Sequence, residues 1–388
     1  MYARRMERLG TETAFEVLAR ARELEKQGRD IVHLEIGEPD FATPGNIIQA
    51  AKDALDEGYT HYGPSAGLPE FRETIAEHIS RDRGIQVSAE NVVVTPGAKP
   101  VIYFSIFACV NEGEEVIYPN PGFPIYESVI NYVGARAVPI PLREERDFRL
   151  DPTELAGLIT DKTKMIILNS PQNPTGSVLS KKDLHLIAET VGDRPIFVFA
   201  DEIYSKILYQ GRHESIAPLV GLDRTILLDG HSKTYAMTGW RLGYGVMNKE
   251  LAAHVTRLMT NCNSCTNVFV QRAGMKALTD PQDAVDAIRR KFLERRDVIV
   301  EGLNRLPGVS CTRPRGAFYV FPNITGTGMK SQQLADALLQ EAGVAALSGT
   351  SFGRFGEGYI RFSYANSVEN IRKALERMGD FLVRRTGN

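Results

Sequence analysis

The chain has 388 residues, 43% of them hydrophobic, with 46 Lys+Arg against 48 Asp+Glu. This is apolar material for large cores, and the length suits two or three domains, or one large domain with a smaller satellite. The near-neutral balance supplies no basic face, so nucleic acid is not an expected partner and a small charged metabolite is. The cysteines, Cys109, Cys262, Cys265 and Cys311, are too scattered for a secreted disulfide framework. Cys262 and Cys265 lack a second ligand pair, so no metal is expected. Residues 1–10 carry arginines but no apolar core, unlike a secretory signal. The longest apolar stretch, 101–110, is half of the roughly 20 residues a membrane span needs. The expected location is the cytoplasm, with no membrane partner.

In chain order, Thr13 with Glu16 reads as a capping box opening a helix, with apolar positions on one stripe and Gly28 at its end. Residues 31–36 read as extended. Thr43-Pro44 offers an N-cap followed by proline, predicting a helix to about Glu57 that stops at Gly58. From residue 90 the pattern changes. Runs rich in Val and Ile recur at 92–94, 115–118, 137–140, 165–168, 196–200, 225–228 and 242–247. Helix-like stretches lie between several of them, such as 151–159 and 180–191, the latter opened by Ser180 with Asp183. Strands alternating with helices predict a large α/β domain whose mainly parallel, mixed sheet is flanked by helices. Ligands then belong at the carboxyl ends of the strands. Asp280-Pro281 starts a long amphipathic helix reaching about Leu306. After it come strands at 317–321 and 359–363 and helices at 331–341 and 368–384, the pattern of a smaller α+β domain. The expected division is 1–45 packing with the small domain, 46–290 as the large domain, and 291–388 as the small one.

The densest chemistry lies in 229–244, directly after the run 225–228. Lys233 stands between the hydroxyls of Ser232 and Thr234, with Arg241 eight residues on. An amine that forms a Schiff base must be neutral to attack, and burial near cations lowers its pKa. A nearby arginine does this and also holds a dianionic phosphate. Taken alone, the segment suits a solvated lysine and an ion-paired arginine as well.

The run Ser232-Lys233-Thr234-x-Ala236-Met237-x-Gly239-Trp240-Arg241-x-Gly243 resembles the cofactor-lysine motif of class I/II aminotransferases, the fold type I pyridoxal-phosphate enzymes. The resemblance extends from Ile36-Gly37-Glu38-Pro39-Asp40-Phe41 to Ile360-Arg361-Phe362-Ser363-Tyr364-Ala365, with its motifs in the family's order. It implies pyridoxal 5'-phosphate as cofactor, held by Lys233. It also implies ping-pong transfer of an amino group from an L-amino acid to a 2-oxo acid such as 2-oxoglutarate or pyruvate.

Other motifs take roles by the same resemblance. Thr95-Pro96-Gly97-Ala98-Lys99 follows a strand and opens a helix, whose N-terminus offers N–H groups to phosphate; Gly97, Ala98 and Lys99 match the family's phosphate turn. Phe123 matches the aromatic that stacks on the pyridine ring, although a core phenylalanine reads the same way. Asn173 matches the asparagine that hydrogen-bonds the ring's phenolic oxygen, and Tyr204 the phenol bonded to that oxygen. Asp201 ends an apolar run, where a carboxylate is costly unless paired; it matches the partner of the ring nitrogen, and a helix N-cap is its other reading. Arg361 sits within an apolar strand and matches the grip on the substrate α-carboxylate. Gly37 matches a loop that substrate approaches. Tyr62 resembles the tyrosine that reaches the phosphate of the neighbouring subunit, implying a homodimer with shared sites.

The chain departs from its relatives at Gly230, where many have a serine whose hydroxyl touches the phosphate. Lys99 stands where some relatives use a lysine for an acidic substrate side chain, which points to dicarboxylic substrates; a solvent-facing lysine is the other reading. Gly349-x-Ser351-x-Gly353 fits a hydrolase nucleophile elbow, but no histidine follows it. A transcription regulator with this domain needs a DNA-binding domain ahead of it, and only about 36 residues precede Gly37. A carbon–sulfur β-lyase of the same fold is the remaining alternative.

Overall fold

The computed structural model of the protein describes residues 2–386. Its strands are β1 (Val32–His33), β2 (Val92–Thr95), β3 (Glu115–Asn120), β4 (Arg136–Pro141), β5 (Thr163–Asn169), β6 (Phe197–Asp201), β7 (Thr225–Gly230), β8 (Gly243–Val246), β9 (Tyr319–Val320), β10 (Val344–Ala345), β11 (Leu347–Ser348) and β12 (Ile360–Ser363). Seven form one sheet in the order β2-β8-β7-β6-β5-β3-β4. Each expected Val- and Ile-rich run is one of these strands. Every residue of β2, β3, β7 and β8 is buried, as expected of β-branched runs covered by helices on both faces.

The pairings are parallel throughout except around β8, which is antiparallel to both β2 and β7. This one reversal positions the site. Thr95, Asn169, Asp201 and Gly230 end their strands on one edge of the sheet, and β8 begins there, with Gly243 opposite both Thr95 and Gly230. The loop before β8 therefore meets the loops that leave the other strands.

Several helix starts follow local chemistry. The Asp151 carboxylate accepts from the Thr153 N–H at 2.9 Å, opening Pro152–Leu158. Ser180 and Asp183 form a reciprocal capping box ahead of Lys181–Val191. Two expected caps do not form. The first helix is Thr13–Lys26 with Glu12 at its N-cap and no side-chain cap bond, so the Thr13–Glu16 box does not form. The helix Gly45–Asp56 has Pro44 at its N-cap. The Thr43 hydroxyl instead donates to the Ala236 carbonyl at 2.7 Å and accepts from Trp240 Nε1 at 3.0 Å, tying this corner to the lysine segment. The helix expected from Asp280 runs Asp283–Leu303.

The N-terminal residues join the C-terminal ones. β1 pairs with β10, the Ser363 N–H donates to the Leu34 carbonyl at 2.7 Å, and Ala21, Leu24 and Ile31 share a small core with Leu339 and Ala345. β11, β12 and β9 form an antiparallel sheet beside them. Among the described residues no helix is long and apolar enough to cross a membrane, and no group of three or more His, Cys, Asp or Glu is placed to hold a metal.

Candidate active site

A cavity of about 520 Å³ opens at the carboxyl edge of the large sheet. Gly37, Ala98, Lys99, Phe123, Asn173, Asp201, Tyr204, Ser232, Lys233, Arg241 and Arg361 all line it, so residues far apart in the chain converge as expected. Two expected residues do not line it. Gly97 lies behind the wall, against Arg241, and Tyr62 is 88% exposed on a loop.

Lys233 sits in the short helix His231–Thr234 that follows β7, and its Nζ donates to the Gly37 carbonyl at 2.6 Å. Burial pushes its pKa down to about 8, with Glu38 and Glu12 pulling up and Lys99 and Arg361 pulling down. A substantial neutral fraction near pH 8 suits a nucleophilic amine. The same segment holds Ala236 and Arg241 at φ of 50° and 57°. Such conformations are uncommon outside glycine and cluster where geometry is imposed by function.

The turn expected to hold the phosphate is tight. Gly97 has φ of 87°, and a Cβ there would lie 2.0 Å from Arg241 Nη2. Only glycine fits the backbone and leaves the guanidinium its place. Arg241 donates to the Thr238 carbonyl at 2.8 Å and pairs with no carboxylate among the described residues. Its charge is thus left for an anion, next to the N-terminus of Lys99–Cys109. Gly230 gains a physical reason as well: a Cβ there would lie 2.9 Å from Gly243 Cα and 3.1 Å from the Leu242 carbonyl. A serine does not fit between these backbones.

On the opposite wall, Asp201 is 5% exposed. It accepts from the Tyr126 hydroxyl at 2.6 Å and the Ile203 N–H at 3.2 Å. Burial pushes its carboxyl up to about 6, partly offset by those two bonds. A buried carboxylate with donors but no cation fits a ring N–H⁺. The Tyr204 and Tyr319 hydroxyls lie 2.8 Å apart. Arg361, 4% exposed, donates through Nη1 to Asn173 Oδ1 at 3.1 Å and through Nη2 to the Glu35 carbonyl, between the rings of Tyr319 and Phe352. Its Nε is buried without a partner, and burial lowers its pKa. An unpaired buried guanidinium wants a carboxylate. Turn, aromatic face and carboxylate together fit pyridoxal phosphate: the main chain of Ala98 and Lys99 with Ser232 and Arg241 for the phosphate, Gly97 making room for the Arg241 guanidinium behind them, and Phe123, Asn173, Asp201 and Tyr204 for the ring.

Sequence reasoning missed Tyr126, Asn169, Tyr319, Glu12 and Phe15, which also line the cavity. Asn169 was findable, since it ends β5 as Asp201 ends β6; its amide donates to the Asp201 carbonyl at 3.1 Å, and its oxygen accepts from the Asn173 N–H at 2.9 Å. Tyr126 follows Phe123 by three residues, but nothing in the sequence aims it at Asp201. Behind the site lies a second buried cluster. Arg83 donates to Glu202 at 2.6 Å and to Asp229 at 2.9 Å, His213 Nε2 lies 2.9 Å from Glu202, and Ser215 donates to Glu202 at 2.6 Å.

Comparison with known proteins agrees with this geometry. An aspartate aminotransferase of Pyrococcus horikoshii is 42% identical over 365 residues, spanning 94% of this chain and 92% of its own length. A Thermus thermophilus aspartate aminotransferase solved with maleate superposes with a TM-score of 0.95 at 37% identity, covering 98% of this chain and 99% of its own. An aromatic aminotransferase of P. horikoshii gives 0.90 at 41% identity, covering 94% and 99%. The family model for aminotransferase class I and II matches residues 29–378. With the convergence of Lys233, Asp201 and Arg361 in one cavity, the chain belongs to the class I and II aminotransferases, whose members are pyridoxal-phosphate enzymes.

Proposed function

We propose that the protein transfers the amino group of an L-amino acid to a 2-oxo acid in two half-reactions at this cavity. The observation that carries the reading is a low-pKa lysine sharing one cavity with a cation-less buried carboxylate and an unpaired buried arginine. When bound, pyridoxal phosphate supplies an aldehyde to take the amino group and an electron-withdrawing ring that stabilises negative charge at the substrate Cα. The chain does the rest. Arg361 holds the α-carboxylate with parallel hydrogen bonds, and Asn173, bonded to Arg361 Nη1, fixes that guanidinium's plane. Lys233 Nζ accepts the proton from the substrate Cα and, as general acid, would deliver it to the former aldehyde carbon of the cofactor rather than back to Cα. Asp201, fixed by Tyr126 and the Ile203 N–H, would keep the ring nitrogen protonated when the cofactor is bound, and Tyr204 and Asn173 would address the ring oxygen. Phe123 covers the ring face, and Gly37 receives the substrate.

The reading includes a homodimer in which Tyr62 reaches the partner's phosphate, supported by the exposure of that phenol. It includes a large unit at 46–290 and a small one from 1–45 and 291–388, supported by the pairing of β1 with β10. A cytoplasmic location is supported by the four cysteines being free. The aspartate and aromatic names of the relatives support amino acid donors, with 2-oxoglutarate or pyruvate as acceptor. The test is Lys233→Ala in a single half-reaction with an amino acid, followed by cofactor absorbance. We expect a fall of at least ~10²–10⁴-fold; normal turnover would sink the assignment. Pyruvate and ammonia released from cystathionine without an acceptor would replace it with the β-lyase.

A further inference from the structure

Four cationic side chains line the cavity: Lys99, Lys233, Arg241 and Arg361. The proposed function uses Lys233, Arg241 and Arg361 for proton transfer, phosphate and α-carboxylate. That leaves Lys99, 43% exposed at the rim, as the group that would meet a second charge on a substrate. It is not free. Its Nζ lies 2.5 Å from Glu12 Oε1, and the Glu12 side chain is only 15% exposed. The placement is built in. Two residues earlier, the Gly10 N–H donates to Ser128 Oγ at 2.9 Å and the Gly10 carbonyl accepts from it at 3.2 Å, pinning the segment to the helix Ile125–Tyr132. Glu12 then stands at the N-cap of Thr13–Lys26 with no cap bond, its charge given to Lys99 instead. The ring centroids of Phe15 and Phe123 lie 5.9 and 5.7 Å from Lys99 Nζ.

We infer that Glu12 is a built-in carboxylate that occupies Lys99 and so sets the substrate class, admitting amino acids with uncharged side chains over dicarboxylic ones. The inference rests on the aminotransferase reading and deepens it. With the pair closed, Lys99 presents no free positive charge, and the Phe15 ring beside it suits an apolar or aromatic side chain. A dicarboxylic substrate either brings a second anion to a cation already paired, or displaces Glu12 and leaves a largely buried carboxylate unpaired. Both cost binding. This reverses the dicarboxylic hint drawn from Lys99 alone.

The test uses the holoenzyme and two unreactive ligands, maleate as dicarboxylate and 3-phenylpropionate as monocarboxylate, titrated by calorimetry. Glu12→Gln keeps the shape and removes the charge. It is expected to shift the ratio of the two association constants about tenfold towards maleate, between the worth of an exposed and a buried pair. The shift should disappear when Lys99→Met is added. Because the ratio is taken on one preparation, partial folding of a variant cancels, and Glu12→Ala gives a second route to the same reading. A ratio within twofold of wild type, or a gain that persists without Lys99, overturns the inference. The aminotransferase reading fails separately, if no amino acid changes the cofactor absorbance of the wild-type enzyme.

Discussion

Asp201 and Glu202 are consecutive and both are buried, 5% and 4% exposed, yet their surroundings drive them apart. Asp201 lines the cavity with a phenol and a backbone N–H for company, and burial lifts its carboxyl to about 6. Burial pushes Glu202 up as well, but His213 and Arg83 outweigh it and hold the carboxyl down at about 2. The rest of each neighbourhood follows suit. Asp229, pushed up by burial and pulled back by Arg83, belongs to the closed network; Arg361 Nε and the Arg241 guanidinium belong to the open one. One end of a sheet thus holds a charge-compensated scaffold and, one residue away, a set of charges left for ligands. Compensation marks what holds the fold, and its lack marks what binds.

The comparison breaks most visibly at Arg83. Arg83→Met leaves Asp229 without its buried ion-pair partner and Glu202 with only His213 and Ser215, and should cost about 3–5 kcal/mol in urea unfolding. A loss under 1 kcal/mol would mean the cluster is not compensated as described.

Asp201→Asn is the counterpart on the open side. Removing this carboxylate should lower turnover by about 10²–10³-fold while leaving stability level or raised, since no cation is abandoned. A variant that is both inactive and strongly destabilised would erase the distinction between the two regions.

Melting of the cofactor-free protein against pH sharpens it further. Asp201 binds its proton more tightly folded than unfolded, so its contribution falls as pH rises from the ordinary carboxylate value of 3.8 to about 6. Glu202 does the reverse: its contribution is present above 4.5 and is lost as pH falls towards about 2. Asp201→Asn should flatten the upper window alone, and calorimetry of the two proteins side by side checks it.

The smallest effect is expected at the seam between the regions. Gly230→Ser adds the hydroxyl that the resemblance leads one to expect here, but its Cβ meets the Gly243 backbone, and a loss of about 1–3 kcal/mol should outweigh any gain in phosphate binding. A stabilised variant with tighter cofactor would show that the strands part easily.

Much of this was legible because the open charges break a pattern. Asp201 ends a hydrophobic run, Arg361 interrupts one and Lys233 follows one, so each was conspicuous in one dimension. The strands inside the large sheet were legible for the matching reason, since runs buried on both faces are mostly apolar; the edge strand β4, exposed or half-buried over its first four residues, still shows through Val138 and Ile140. Glu12, Tyr126 and Tyr319 were not, because each matters through a partner distant in the chain. Glu12 in sequence is one more charge before a helix, and only folding shows that it answers Lys99. Thr13 and Thr43 misled in the same way: both are good caps locally, and the chain begins one helix after Glu12 and uses the Thr43 hydroxyl for a tertiary bond.

The meeting of Gly97, Gly230 and Gly243 has one more consequence. A Cβ on Gly243 would strike Ala98 N at 2.5 Å, as one on Gly230 would strike Gly243. The turn proposed to hold the phosphate is therefore assembled from main chain pressed against main chain, and offers mutation almost no foothold. The rim, by contrast, is made of replaceable side chains such as Glu12, Phe15 and Lys99 from separate stretches of sequence. A scaffold divided in this way can trade one substrate for another at its edge while the grip on its cofactor is inherited unchanged.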